Sequence, residues 1–174
     1  MHEDPIHRRT MSTTFFASQG DVDGLKLAHE QGMPWDAHTC AAAAEADSLA
    51  CLKFAHENGC PWNEHVVMSA VKSNSVECLR YAFENGCEVS ENVAEFCSYI
   101  GNIDCLLYIL TTDSFPVDKD RCLQAVIEGT QDTDLKLIRR LQYLLDANKE
   151  NFRQQDYVEL CDITKQLFSF IKLP

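Results

Sequence analysis

A segment of twelve residues recurs along this chain at a constant spacing of 27 residues. The copy CLKFAHENGCPW begins at Cys51, and GLKLAHEQGMPW begins 27 residues earlier, at Gly24. CLRYAFENGCEV begins 27 residues later, at Cys78, and a weaker fourth copy, CLLYILTTDSFP, begins at Cys105. A fixed period of this size is typical of repeat proteins, in which each unit buries its apolar face only against its neighbours. The repeat therefore predicts a linear array of similar units.

Two helices are predicted in each unit from the residues that can begin and end them. Side chains of Asp, Asn and Ser accept hydrogen bonds from the free N–H groups of a first helical turn. Such candidate N-caps recur at Asp36, Asn63, Ser90 and, one residue out of step, Asp118. Gly, Asn and Asp tolerate the left-handed backbone that ends a helix. The first helix is expected to end at Gly20, Asp47, Asn74 and Gly101, and the second at Gly32, Gly59, Gly86 and Asp113.

A tryptophan follows the second helix in two of the units. Pro61 prevents that helix from continuing past Gly59, and Trp62 comes directly after the proline. Trp35 stands in the same place 27 residues earlier. We expect both indole rings to be largely buried and to anchor the turn between one unit and the next.

The chain is acidic, with a net charge of −12 from 27 acidic and 15 basic residues. Nucleic acids and anionic membrane surfaces are bound by clustered lysines and arginines, so this balance argues against both as partners. No apolar run approaches the roughly 20 residues of a membrane-spanning helix. The N-terminal sequence MHEDPIHRRT lacks the apolar segment of a secretory signal. We therefore expect a cytoplasmic protein.

Most of the nine cysteines lie on the repeat. Cys51, Cys78 and Cys105 share one position of the unit, and Cys60 and Cys87 share another. Equivalent positions of packed helices are about 8–10 Å apart, whereas a disulfide needs Cα atoms within roughly 4.4–6.8 Å. Cysteines at equivalent positions are therefore poorly placed to form disulfides. We expect reduced thiols in a reducing compartment, packed as small buried hydrophobic residues.

The spacing of the glycines within one unit resembles that of an ankyrin repeat. In residues 20–32, GDVDGLKLAHEQG, the positions that an ankyrin repeat fills with Leu, Glu and Val hold Val22, Asp23 and Leu25. The unit is 27 residues long rather than about 33, and the Thr-Pro-Leu-His signature is absent. The chain is similar to a short ankyrin-like class with Gly-Cys-Pro-Trp endings, seen in giant DNA viruses and protists. This resemblance implies an all-α helical-repeat solenoid that lacks long β-hairpin fingers.

On this interpretation the chain has three parts. Residues 1–11 form an N-terminal arm, residues 12–129 contain the four to five ankyrin-like helix pairs, and residues 148–174 form a C-terminal capping helix. The units span residues 12–38, 39–65, 66–92, 93–120 and 121–147. The period fails after Gly129, and a terminal unit is expected to be atypical because one of its faces has no neighbour. The alternative to a cap is a C-terminal tail that binds a partner.

Histidines and cysteines are duplicated along the array rather than gathered at one point. His29 and His56 occupy equivalent positions, and so do His38 and His65. A catalytic Cys–His pair needs an oriented base at a unique site. Zinc sites usually contain closely spaced ligand pairs, which this sequence lacks. We therefore predict no enzyme, no metal site and no cofactor.

The ankyrin resemblance places a binding surface on the first helix of each unit, where an ankyrin array is concave. Phe96 and Tyr99 are three residues apart, so they share one helix face, and exposed aromatic side chains suit a binding hot spot. The candidate partner-binding residues are Phe15, Glu45, Lys72, Phe96, Tyr99 and Ile100. The alternative for the last three is that they pack against the irregular fifth unit.

The function that the resemblance implies is a non-enzymatic protein–protein interaction module. Arrays of this class in viral relatives act as adaptors directed at host proteins, often beside an F-box, and no F-box-like segment is visible here. The alternative is a structural or self-assembling solenoid without a separate partner. Homo-oligomers would then form through the ends of the array.

Overall fold

Eight helices and no strand make up the part of the chain that the structure describes. The structure is a computed structural model, and it describes residues 12–112 together with residues 115, 121, 122 and 125. The helices are α1 (Thr13–Ser18), α2 (Val22–Glu30), α3 (Ala37–Glu45), α4 (Leu49–Glu57), α5 (Glu64–Lys72), α6 (Val76–Glu84), α7 (Val93–Ile100) and α8 (Ile103–Thr111). The all-α class predicted from the sequence is confirmed for these residues.

The chain divides between Ser90 and Glu91 into two compact units. Unit 1 contains α1 to α6, and unit 2 contains α7 and α8. In unit 1 each odd-numbered helix packs against the even-numbered helix that follows it. The helices of unit 1 also pack in two rows, because α3 contacts α1 and α5 while α4 contacts α2 and α6. We call α1, α3 and α5 the odd row and α2, α4 and α6 the even row.

Side-chain caps begin the helices of unit 1. The Oδ1 atom of Asp36 accepts the N–H of His38 at 2.9 Å, and that of Asn63 accepts the N–H of His65 at 3.1 Å. The predicted caps of α3 and α5 are therefore confirmed. The even-numbered helices are capped in turn by Asp21, Ser48 and Ser75. Each cap supplies an acceptor for an N–H that has no partner within its own helix.

The predicted left-handed helix terminators all have positive φ angles in the described residues. The angles run from 52° at Asp47 to 84° at Gly59. The terminators are Gly20, Gly32, Asp47, Gly59, Asn74, Gly86 and Gly101. The residue after each one reverses the chain and bonds back to the helix, as the N–H of Cys60 does to the carbonyl of Ala55 at 2.9 Å. The predicted terminator at Asp113 lies outside the described residues.

The helix pair of unit 2 begins later than the repeat predicts. An N-cap was expected at Ser90, but α7 begins at Val93 with Asn92 in the N-cap position. Glu91 and Asn92 form a turn, so the helix starts two residues after the predicted place. Neither α7 nor α8 has a side-chain hydrogen bond at its cap. The predicted cap at Asp118 lies outside the described residues.

Leucine, alanine, cysteine and valine make up the buried apolar core of unit 1. Equivalent leucines are completely buried in its three helix pairs, at Leu25, Leu52 and Leu79. Across both units the eight described cysteines are all free and buried, which confirms the prediction that they pack as small hydrophobic residues. Two of them also donate a hydrogen bond at 3.1 Å to an N-cap carbonyl, Cys60 to Asp36 and Cys87 to Asn63.

Several predicted parts of the chain fall outside the described residues. These are the N-terminal arm at residues 1–11, most of the fifth unit and the C-terminal capping helix at residues 148–174. Within the described ranges, the helices are too short or too polar for any of them to span a membrane.

Candidate interaction groove

A groove with about 320 Å³ of water-accessible space lies along the odd row of unit 1. Its walls come mainly from α3 and α5, with Thr14 contributed by α1. Four pairs of lining residues stand 27 positions apart, with one member on each of the two main helices. These pairs are His38 with His65, Ala41 with Met68, Ala42 with Ser69, and Glu45 with Lys72. Equivalent positions of two successive helix pairs therefore build the groove.

The lining residues of each helix form a single stripe. The four paired residues of each helix stand at positions i, i+3, i+4 and i+7, which share one face of an α-helix. In the middle of the stripe α3 contributes the small residues Ala41 and Ala42, and α5 contributes Ser69 and the larger Met68. The opposite face of α3 is buried through Thr39, Cys40, Ala43 and Ala44. Small side chains between two packed helices leave the space that the groove occupies.

Two histidines lie at one end of the groove, each in the first turn of its helix. The Asp36 carboxylate that caps α3 also lies 3.3 Å from Nδ1 of His38. The His38 side chain is 81% exposed, so this contact is screened by water and contributes little to folding stability. His65, in the same position of α5, is exposed as well. Both imidazoles are thus available to a ligand in the groove.

Opposite charges lie at the other end, where Glu45 is the last residue of α3 and Lys72 is the last residue of α5. The carbonyl end of a helix carries a partial negative charge, which favours cations and disfavours anions. Lys72 therefore suits its position, whereas Glu45 is locally unfavourable for α3. Both side chains are exposed, and no described neighbour buries the carboxylate.

The structure brings two of the six predicted partner-binding residues together, since Glu45 and Lys72 line the same groove. Phe15, on α1, is 41% exposed but does not line the groove, and its ring packs edge-on against Phe16 at 5.9 Å. The other three lie on α7 of unit 2, where Tyr99 is 54% exposed and its two companions are half-buried. The three on α7 are Phe96, Tyr99 and Ile100.

The sequence prediction missed the contribution of His38 and His65 to this surface. The two residues were considered only as a metal-binding pair, and the described residues contain no group of three or more potential ligands that could hold a metal ion. A signal was present in the sequence. Each histidine precedes a charged groove residue by seven positions, Glu45 and Lys72 respectively, and such spacing places both on one helix face.

Among the described cysteines that have a shifted pKa, most lie in surroundings that favour the protonated thiol. Burial raises the pKa of Cys87 to about 11 and also raises the pKa of Cys51, Cys78 and Cys97. The thiolate, not the thiol, is the nucleophile in cysteine chemistry. At neutral pH these four side chains are therefore packed, protonated groups.

The two tryptophans take part in equivalent aromatic clusters. Trp62 stacks on His56 at a centroid distance of 3.6 Å, and Tyr81 packs edge-on against both rings. Trp35 forms the matching cluster with His29 and Phe54, the stacked rings being 4.0 Å apart. Both tryptophans are partly buried, so the prediction that they are largely buried is met without either ring being fully enclosed. The rings that cover them are themselves only half-buried, so part of each indole stays in contact with water.

Comparisons of this chain with protein-family models, with curated proteins and with solved structures find no match.

Proposed function

We propose that unit 1 is an ankyrin-like helical-repeat solenoid without β-hairpin fingers, and that it binds another protein through the groove of the odd row. The fold part of this proposal is supported by the two rows of helices. It is also supported by caps and left-handed terminators that recur every 27 residues. Repeats of this kind bury their apolar faces against one another and leave an extended surface for binding.

The observation that carries the functional part is the matched set of exposed polar side chains at the ends of a groove whose centre is lined by alanine, serine and methionine. Small-molecule sites are usually concave pockets that bury most of the ligand and are lined by apolar and aromatic groups. This groove differs in that exposed histidines, a glutamate and a lysine lie at its ends, while alanines and Met68 line its centre. A surface with small and apolar residues at its centre and exposed polar side chains at its ends suits a side chain or short segment of a protein partner.

We further propose a cytoplasmic location, because eight buried described cysteines that form no disulfide suit a reducing compartment. The adaptor role proposed with it is that of a viral or host-directed adaptor.

The exposed aromatic side chain of α7 supports a second candidate surface in unit 2. Tyr99 is 54% exposed, and tyrosine is enriched at the centres of protein interfaces. Phe96 and Ile100 lie one helical turn apart on the same helix. A self-assembling solenoid remains the alternative function, with a second copy of the chain as the partner.

Site-specific crosslinking tests the groove. A photo-reactive amino acid placed at Ala42, in the groove, is expected to crosslink a partner from a host lysate, and the same group at the exposed Ala50 on α4 is not. The charge exchange Glu45→Lys with Lys72→Glu is expected to remove the crosslink without changing the net charge. Its control is Lys26→Glu with Glu84→Lys, which makes the same exchange on the even row.

The outcomes separate the alternatives. Equal crosslinking from both positions, or a crosslink that survives the exchange in the groove, contradicts the proposed site. Capture of a second copy of the chain supports self-assembly. Loss of the partner in Tyr99→Ser with an unchanged melting temperature moves the binding surface to α7.

A further inference from the structure

Two helices of the even row are followed by the same dipeptide, Asn-Gly. Asn58 is the C-cap of α4 and Asn85 is the C-cap of α6, and each precedes a glycine. The two asparagines have matching backbones, with φ and ψ of −100° and 18° at Asn58 and of −100° and 17° at Asn85. Gly59 and Gly86 have φ angles of 84° and 79°. The same helix end is therefore built twice from the same two residues.

Hydrogen bonds explain why asparagine occurs at these caps. Nδ2 of Asn58 donates to the carbonyl of Phe54 at 2.8 Å, and Nδ2 of Asn85 donates to the carbonyl of Tyr81 at the same distance. Each side chain thus supplies a donor to a carbonyl in the last turn of its helix. Capping accounts for the asparagine, and the left-handed backbone accounts for the glycine that follows it.

The dipeptide that results is chemically labile. Asparagine is one of the thermolabile residues of proteins, because the next backbone nitrogen can attack its side-chain carbonyl carbon and close a five-membered ring. Glycine hinders this attack least, since it has no Cβ. At Gly59 and Gly86 no atom outside the adjoining residues lies within 4 Å of a Cβ built there. Asn58 and Asn85 are both exposed, so water has access to both sites.

We propose that Asn58 and Asn85 are sites of spontaneous deamidation in the folded protein, reached through fraying of the last turns of α4 and α6. In the closed helix end the attacking nitrogen is occupied, because the N–H of Gly59 donates to the carbonyl of His56 at 3.0 Å. The equivalent bond after Asn85 measures 3.1 Å. Local opening of a helix end costs less free energy than unfolding the whole unit. Such opening frees the glycine nitrogen and the asparagine side chain together.

The reaction proceeds in two steps. The nitrogen of Gly59 loses its proton to base and attacks Cγ of Asn58, and the side-chain amide leaves as ammonia. Water then opens the succinimide ring at either carbonyl, which gives aspartate or isoaspartate at position 58. The net change is one water consumed and one ammonia released. The aspartate product replaces the donor to Phe54 by a carboxylate at the negatively polarised end of α4. The isoaspartate product lengthens the main chain by one carbon, so both products are expected to loosen the helix end.

The protein contains its own controls. Gln31 and Gly32 hold the equivalent positions after α2, where the glycine φ angle is 72°. Glutamine has one more methylene group, so the same attack must close a six-membered ring, which is slower. Asn63 is the second control, because its side chain caps α5 and the next residue is Glu64 instead of a glycine.

The test incubates the folded full chain at mildly alkaline pH for several days, digests samples at acidic pH and measures the peptides by mass spectrometry. Asn58 and Asn85 are expected to gain the mass difference between NH2 and OH, while Gln31 and Asn63 stay unchanged. Asn58→Gln, which reproduces the dipeptide after α2, is expected to stop conversion at that position and to leave Asn85 reacting. Asn58→Asp is expected to lower the melting temperature, as the deamidated product would.

Circular dichroism shows that the incubated chain and each variant are folded, and a parallel sample in urea gives the conversion of the open chain. If Asn58 and Asn85 keep their amides in the folded chain, the proposal is overturned, and conversion in urea then shows that the fold protects them. Equal conversion at Gln31 or Asn63 also overturns it, because the loss of ammonia would then not depend on the following glycine.

Discussion

The first and second helix pairs of unit 1 fill the same contact between their two helices with side chains of different size. The larger side chain belongs to the first helix in one pair and to the second helix in the other. In the first pair, α1 with α2, Phe16 faces Gly24, and a Cβ atom built on the glycine would lie 2.4 Å from Cδ1 of that ring. In the second pair, α3 with α4, the equivalent residues are Ala43 and Cys51, and both are completely buried. The first pair thus sets the ring of Phe16 against a glycine, whereas the second sets the methyl group of Ala43 against the thiol of Cys51.

This difference shows that the repeat preserves the filled space of a contact rather than the residue at each position. Protein interiors are packed as densely as organic crystals, so a larger group on one side of a contact requires a smaller group on the other. Gly24 stands at the position of the repeat that holds Cys51, Cys78 and Cys105 in the next three units. Its φ angle is not positive, so the glycine is explained by the ring of Phe16 and the carboxylate of Asp21, each 2.4 Å from an added Cβ, and not by the backbone conformation.

The two aromatic clusters provide the largest expected effect in this comparison. Trp62→Ala is expected to lower the free energy of unfolding by about 3 kcal/mol, the low end for large aromatic truncations, because the ring is only half-buried. Trp35→Ala is expected to cost somewhat less. His56 also contacts the Tyr81 hydroxyl, at 3.0 Å, and the first cluster has Phe54 instead. Urea denaturation followed by circular dichroism measures both losses, and a loss below about 1 kcal/mol for Trp62→Ala would show that the cluster does not anchor the turn.

The contact between Phe16 and Gly24 gives an intermediate effect. Gly24→Cys is expected to destabilise unit 1 by about 1–3 kcal/mol, the usual cost of adding atoms to a filled site. Phe16→Ala in the same chain is expected to recover part of that loss, because the ring is removed while Asp21 Oδ2, also 2.4 Å from an added Cβ, stays in place. Both tryptophans of the sequence lie in unit 1, so their fluorescence during denaturation monitors this unit. If the loss of unfolding free energy in the double variant equals the sum of the losses in the two single variants, the two positions do not compensate for each other. Residues in contact are expected to give a smaller or larger loss than that sum.

The helix terminators give the smallest expected effect. Gly59→Ala is expected to cost about 1–2 kcal/mol, because the φ angle is 84° and L-residues other than glycine are strained there. No atom lies within 4 Å of the added Cβ, so the cost is conformational alone. Asp47→Gly, at a φ angle of 52° in the same helix pair, is expected to be neutral or slightly stabilising. Thermal denaturation measures both variants: the melting temperature is expected to fall for Gly59→Ala and to stay the same or rise for Asp47→Gly. An unchanged melting temperature for Gly59→Ala would contradict the prediction.

Local chemistry made much of the helical structure predictable from the sequence. Glycine, asparagine and aspartate are the residues that adopt positive φ angles at low cost. The repeated positions of those residues therefore marked every helix end that the structure describes from Gly20 to Gly101. The caps at Asp36 and Asn63 followed from the same reasoning. Such features depend on a few neighbouring residues, so one sequence is enough to find them.

The same reasoning failed where the local pattern could be satisfied in more than one way. Ser90 is as good a cap as Asn63, yet α7 begins at Val93 after an additional turn. The groove was half-predicted, because Glu45 and Lys72 were selected by analogy and the two histidines were not. The proline before Trp62 indicated where the chain turns but not how completely the ring is covered, and the structure shows a ring that is partly buried.

By itself, the sequence determined that described residues form helices, where most of these helices end and that the cysteines are buried. The period and the conformational preferences of single residues carry this information. Only the tertiary structure decided that Phe16 and Asp21 fill the space beside Gly24 and that the thiol of Cys60 donates to the carbonyl of Asp36. Contacts between helices depend on how whole faces pack together. A position in the repeat therefore does not reveal which side of a contact holds the larger group.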